Sequence, residues 1–218
     1  NIMNSITHIL SPYSAPWCAW TMLGLLVCAI VSELIQPGII TQAGVSLHTR
    51  ADRTYKEAPN NFLGKFFVSV FRVGISAMAV YMFLSNNRPF TIKVFGMICA
   101  IILSVILIKK LCNTLLDYTF QLSRRFASVY DHYSNIYTIA AIVLYPFLLV
   151  LIYIGHAQLT QWVIGIICLL FVITWTIRSA RIFIVSPKAI LYFLIYICTL
   201  ELIPLGMIFY LSEQTILL

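Results

Sequence analysis

Three charged residues lie within or beside long apolar runs and are the natural candidates for chemistry: Glu33, Arg72 and Glu201. An ionisable side chain at the centre of a membrane costs about 2.5–3.5 kcal/mol on insertion scales, so each must find a partner, a water-lined cavity or neutralisation. A carboxylate and a guanidinium at matching depth can form a structural ion pair, contribute to a proton relay, or present charge to a substrate. Glu201 sits in "LYFLIYICTLELIPLGMIFYL", three residues before Pro204. A proline there lacks an amide donor and releases the carbonyl of Leu200 one turn back. That carbonyl needs a donor if it faces lipid, and Tyr192, Tyr196 and Thr199 are the nearby hydroxyls. A helix kinked beside an acid makes either a pocket or a packing notch. Pro146, in "VLYPFLLV", invites the same two readings.

Other reactive side chains are scattered. His8, His48, His132 and His156 stand singly, without metal-ligand spacing. Cys18, Cys28, Cys99, Cys112, Cys168 and Cys198 contain no CxxC pair, and most fall inside apolar runs as small packing residues. The chain lacks HExxH, GxSxG and phosphate-loop patterns. The expectation is a non-catalytic protein with no metal and no cofactor.

The elements that must position these residues follow from hydropathy. Of the 218 residues, 61% are hydrophobic and 10% charged, and mean hydropathy is +0.95; soluble domains carry about 25% charged residues. An all-α, polytopic transmembrane bundle is the expected fold class. A spanning helix needs about 20 mostly apolar residues, and six runs qualify: 17–36, 66–84, 90–108, 136–154, 160–177 and 189–211. Measured from the same membrane face, Arg72 and Glu201 both fall well inside their runs. That makes them the expected pair, with Glu33 a shallower competitor. The first residue is Asn1, so the sequence is expected to start inside a longer product or after a removed segment.

Arg50, Arg53, Lys56 and Lys65 lie in the first connection, Lys109, Lys110, Arg124 and Arg125 in the third, and Arg178, Arg181 and Lys188 in the fifth. The second has only Arg88 and Lys93, and the fourth has none. The positive-inside rule puts the odd-numbered connections in the cytoplasm and both termini outside. The net charge of +7 thus marks orientation and contact with anionic lipid, not nucleic acid. Residues 37–65 read as a solvated cytoplasmic loop.

Between the third and fourth runs, Leu111, Leu115, Tyr118, Leu122, Phe126, Val129 and Tyr133 recur at steps of three and four, the signature of one helix face. Residues 109–133 are therefore expected to form an amphipathic cytoplasmic helix extending the third span. It would lie on the membrane or its own bundle, or present a docking face to a partner. Gly96, Ala100 and Ser104 place small residues four apart on the third span, a pattern that lets helices approach closely. Trp17, Trp20 and Trp162 stand near span ends, as in an aromatic belt.

The C-terminal "RSARIFIVSPKAILYFLIYICTLELIPL" resembles the signature of an uncharacterised, domain-of-unknown-function family of polytopic inner-membrane proteins from Bacteroidota. Its "YLCTLEILPL" element is matched here by "YICTLELIPL", with Tyr196, Cys198, Thr199, Glu201 and Pro204 in place. The region from "LIKKLCNTLLDYTF" to "YTIAAIVLYPFLLV" is similar to the family's middle part, with Asn135 a partial match, and the likeness fades before Lys109. The resemblance implies a bacterial inner-membrane fold and a lineage, but no activity. It would make Glu-x-x-Pro a family feature and suggests an envelope system such as type IX secretion or gliding. Three functional readings stand: a subunit or assembly factor of an envelope complex with protein partners; a small transporter or proton-coupled device using Glu201 and Arg72; and a membrane enzyme acting on lipid.

Overall fold

The computed structural model describes residues 16–38, 61–84, 91–120, 123–154, 157–183 and 203–217. The side chains of residues 113 and 157 and of stretches 115–133, 178–183 and 216–217 lie outside the description. The described residues form six helices: α1 (Pro16–Ile35), α2 (Phe62–Leu84), α3 (Ile92–Phe120), α4 (Ser123–Ile154), α5 (Ala157–Phe183) and α6 (Ile203–Leu217). The first five are long and apolar enough to cross a membrane. The all-α, multi-span expectation holds, and the chain is a multi-pass membrane protein.

Element boundaries differ from those read by hydropathy. Helix α2 begins at Phe62, ahead of residue 66, so Lys65 lies inside the helix and not in the connection. Helix α3 continues past residue 108 to Phe120, and α4 starts at Ser123. The amphipathic stretch 109–133 is thus shared between the end of α3 and the first turns of α4, with residues 121 and 122 outside the description. Helix α4 runs unbroken across Pro146.

Helix α2 is the hub, packing against each of the other five. In its membrane-length window 56% of residues are buried, against 11% in α3 and 17% in α5. Its Ile75, Met78 and Met82 are fully buried, together with Ile98 of α3 and Leu148 of α4. Lipid tails are as apolar as leucine, so close packing rather than the hydrophobic effect must hold such helices together. Helices α1 and α2 approach closely at two glycines. A Cβ on Gly74 would stand only 2.4 Å from Leu25 Cδ2, and one on Gly64 would stand 3.0 Å from Gln36 Cβ.

Helix ends leave backbone groups without intrahelical partners, and in a membrane protein these need local answers. At the end of α1, the Gln36 amide donates to the Ser32 carbonyl at 3.0 Å. Gly38 follows at φ 92°, a conformation glycine adopts without steric cost. The Asn61 side-chain amide donates to the Ile35 carbonyl at 3.2 Å, tying the start of α2 to the end of α1. At the opposite end, Gln161 of α5 donates to the Phe83 carbonyl at 3.1 Å. The Thr91 amide donates to the Tyr81 hydroxyl at 2.7 Å, so the second and third helices share a polar junction. Trp20 and Trp162 are mostly exposed at their helix ends, whereas Trp17 packs against Phe95 with ring centroids 5.7 Å apart.

Candidate functional site

The polar group that most needs explanation is Arg72, near the middle of α2. Its Nη1 donates to Ser134 Oγ at 2.8 Å, and its guanidinium carbon lies 5.9 Å from the centroid of the Tyr137 ring. Ser134 is where the apolar part of α4 begins; the eleven residues before it include Arg124, Arg125, Asp131 and His132. The long arginine stem therefore carries its charge from the helix middle to the level at which α4 becomes polar. This is the snorkelling by which a basic side chain keeps its stem in apolar surroundings and its head near water.

One turn along α2, Ser76 Oγ and the Tyr137 hydroxyl share a hydrogen bond of 2.6 Å, in which either oxygen can donate. When the Tyr137 hydroxyl donates elsewhere, the Arg72 carbonyl lies 3.4 Å away. Thr138 Oγ1 donates to the Ser134 carbonyl at 2.8 Å. The spacing follows from helix geometry. Residues 72 and 76 are four apart on α2, and 134, 137 and 138 are three and four apart on α4, so each set shares a face. The Tyr137 ring also lies 6.2 Å from that of Phe171 on α5. One aromatic side chain thus connects three helices. Chemically the group is a cation held by the Ser134 hydroxyl and the Tyr137 ring, with the Ser76–Tyr137 bond beside it, a clasp between α2 and α4.

The other expected residues are distributed differently. Glu33 Oε1 accepts from the Gly38 amide at 2.7 Å, so this carboxylate shapes the turn after α1. Glu201 and the Leu200 carbonyl lie outside the described residues. Pro204 is the second residue of α6 as described. Gly96, Ala100 and Ser104 lie on an exposed face of α3, and among the described residues a Cβ on Gly96 meets no atom within 4 Å. The tight helix approach within the chain uses Gly74 and Gly64 instead. On the amphipathic face, Leu111 is exposed. Leu115, Tyr118, Leu122, Phe126 and Val129 lie outside the described side chains.

The sequence reading missed Ser76, Ser134 and Tyr137. Their signal was present: hydroxyls at helical spacing on two spans, at a level where an arginine needed acceptors nearby. The registration of the two helices was not legible. Among the described residues, no group of three His, Cys, Asp or Glu side chains could hold a metal ion.

No curated protein and no solved structure matches the chain. A family model described as "Domain of unknown function (DUF4271)" matches residues 18–211, from within α1 to within α6. Covering all but the ends of the chain, that match includes both halves of the Arg72 clasp and shows that the chain belongs to the DUF4271 family.

Proposed function

We propose that the protein is a non-catalytic component or assembly factor of a membrane complex in the cell envelope, acting through helix association. The observation that carries this reading is the outward face of α3. This helix is the least buried of the five spanning helices, with 11% of its window inside the bundle. Its small residues Gly96, Ala100 and Ser104 are exposed. Ser104 Oγ bonds the Ala100 carbonyl at 2.8 Å, so the stripe carries its polar atom in a locally satisfied form. Small residues four apart let a second backbone approach closely, and among the described residues a Cβ on Gly96 meets nothing within 4 Å. The Arg72 clasp supports the same reading, because its described partners hold helices together.

In this proposal the membrane is a bacterial inner membrane, with the odd-numbered connections cytoplasmic and both termini periplasmic, as the lysine and arginine distribution suggests. Bacteroidota lineage, and service to a secretion or gliding system, rest on the resemblance of the C-terminal signature. A second reading, a small transporter or proton-coupled device using Glu201 and Arg72, draws on the polar surroundings of Arg72 beside Ser134 and Tyr137.

The test is site-directed crosslinking in native membranes from cysteines placed singly at positions 96, 97, 100 and 104. Association through the stripe gives crosslinked products at 96, 100 and 104 and a weaker one at 97. The double variant Gly96→Leu/Ala100→Leu should accumulate normally yet leave the complex on native electrophoresis. An unchanged complex in that variant would remove the basis of the proposal.

A further inference from the structure

Two short stretches place sulfur at helical spacing. In α1, "CAWTM" carries Cys18 and Met22; in α2, "MAVYM" carries Met78 and Met82. Residues four apart share a helix face. The two faces meet. Gln36 lies against Gly64 and Leu25 against Gly74, so α1 and α2 run antiparallel, and eleven residues back along α1 match ten forward along α2. Continuing from Leu25 and Gly74 at that pace, Met22 comes level with Ala77 and Met78, and Cys18 with Tyr81 and Met82. All four sulfur side chains are buried and belong to one core cluster. Sulfur elsewhere is placed otherwise: Met97, Met207 and Cys168 are exposed, and Cys28, Cys99 and Cys112 are half-buried. All the fully buried sulfur among the described residues is thus gathered at this one crossing, while the rest of the cluster is mostly isoleucine and leucine.

Cys18 stands in the first turn of α1 and Met82 in the last turn of α2, so the four lie within about two turns of one membrane face. The two levels are about 6 Å apart along the helix axes. Methionine, with three rotatable bonds, spans such a gap easily. One thiol and three thioethers make a soft donor set, the kind that selects Cu(I) over harder ions. The charge balance also suits a bilayer. As Cu(I) binds, the Cys18 thiol gives its proton to water and its sulfur takes the metal. The positive charge of the ion and the negative charge of the thiolate cancel, and the thioethers are neutral. The filled site carries no net charge and escapes the penalty on charged groups inside the membrane. A divalent ion on the same donors would leave a positive charge, and zinc takes thiolate, imidazole and carboxylate ligands.

We infer that Cys18, Met22, Met78 and Met82 form a binding site for one Cu(I) ion between α1 and α2, close to the membrane face at which α1 begins. The site is independent of the helix association proposed above, which uses the opposite kind of surface, an exposed one on α3. Core packing alone needs only the volume of these side chains, since methionine fills irregular gaps; a copper site needs their sulfur atoms.

The experiment is anaerobic titration of the full chain in detergent with Cu(I) held by bicinchoninate, followed by X-ray absorption at the copper edge. The native chain should withdraw one Cu(I) per chain and surround it with sulfur. Leucine matches methionine in volume, and the exchange usually costs less than about 1.5 kcal/mol. Met22→Leu, Met78→Leu and Met82→Leu therefore remove sulfur while keeping the fold. Even an outer hydrogen-bond partner of a ligand is worth about 10- to 100-fold in metal affinity, so each should lose at least about tenfold. Cys18→Ser, which also removes the compensating charge, should lose about a hundredfold or more; Cys18→Ala replaces it if the serine variant does not fold. Cys168→Ser, on the exposed face of α5, should bind as the native chain does. The assignment is overturned if the native chain withdraws no copper, or holds zinc as firmly as Cu(I). It is equally overturned if the triple Met→Leu chain or Cys18→Ala keeps the native affinity.

Discussion

The contact between Gly74 and Leu25 gives a sharp test of the packing argument. A Cβ on Gly74 would lie 2.4 Å from Leu25 Cδ2, 3.0 Å from Cδ1 and 3.2 Å from Cγ. Carbon atoms rest about 3.5–4.0 Å apart, so the nearest pair would overlap by about an ångström. Rotating the leucine about its last bond brings one methyl in as the other leaves, and Leu25 is only 8% exposed, with little room to withdraw. Gly74→Ala should therefore cost about 1–3 kcal/mol of overpacking. Alanine returns about 1 kcal/mol through its better helix propensity. The net expectation is a destabilisation of up to about 2 kcal/mol. Leu25→Ala alone should cost about 2–5 kcal/mol, the range of a buried leucine truncation. In the double variant the new methyl enters the vacated space, so the combined cost should fall short of the sum by about 1–3 kcal/mol. Steric trapping in bicelles measures all four stabilities in a membrane-like medium. Additivity within about 0.5 kcal/mol would mean that the two side chains do not meet, and the α1–α2 crossing would have to be redrawn. Gly96→Ala is the internal control: its Cβ meets nothing within 4 Å, so it should be neutral or stabilising by up to about 1 kcal/mol.

Three further outcomes are expected. Tyr137→Phe and Ser76→Ala should each lower stability by about 0.6–1.7 kcal/mol, the range of interhelical hydrogen bonds in membranes, and together by less than the sum, because they remove the same 2.6 Å bond; steric trapping measures this directly. Tyr81→Phe leaves the Thr91 amide without its 2.7 Å acceptor and should cost about 1–3 kcal/mol, visible as faster hydrogen exchange in the first turn of α3. For the charge pair expected from the sequence, Arg72→Gln and Glu201→Gln should each reduce membrane accumulation, and the double variant should recover it, if the two residues serve one structural role. Normal accumulation of Glu201→Gln with loss of function in the native host would instead make the carboxylate a working group.

Five of the six expected spans were legible because insertion depends on summed hydropathy, which is a property of the sequence alone; the sixth, 189–211, falls mostly on residues outside the description. Packing partners were not, because they depend on how each helix is rotated. Arg72 shows the difference. Its need for a polar neighbour could be read at once, but its neighbour Ser134 lies 62 residues away on a helix whose registration no local pattern records. Gly96, Ala100 and Ser104 have a good packing pattern yet lie on the outside, whereas Gly74, with no small residue four positions earlier, is where α1 and α2 meet. One clue to the hub was available: the α2 window has the lowest mean hydropathy of the five, 1.8, as suits a helix surrounded by protein. The extension of α3 beyond residue 108 was also visible, in the helical periodicity that continues through Leu111 and Leu115.

The central position of α2 also has a consequence for how the chain is made. The helix that contacts every other described helix precedes α3, α4, α5 and α6 in the chain, so each of these meets a surface already waiting in the membrane. When α2 enters the bilayer, however, Ser134 does not yet exist. At about 5–20 residues per second the ribosome takes about 3–12 s to add the intervening 62 residues. During that interval the translocon, or water at the bilayer surface, has to accommodate the guanidinium. The arginine that later locks the bundle is thus the feature that makes early biogenesis depend on timely arrival of the fourth span, and slowing translation between α2 and α4 should expose the nascent chain to quality control.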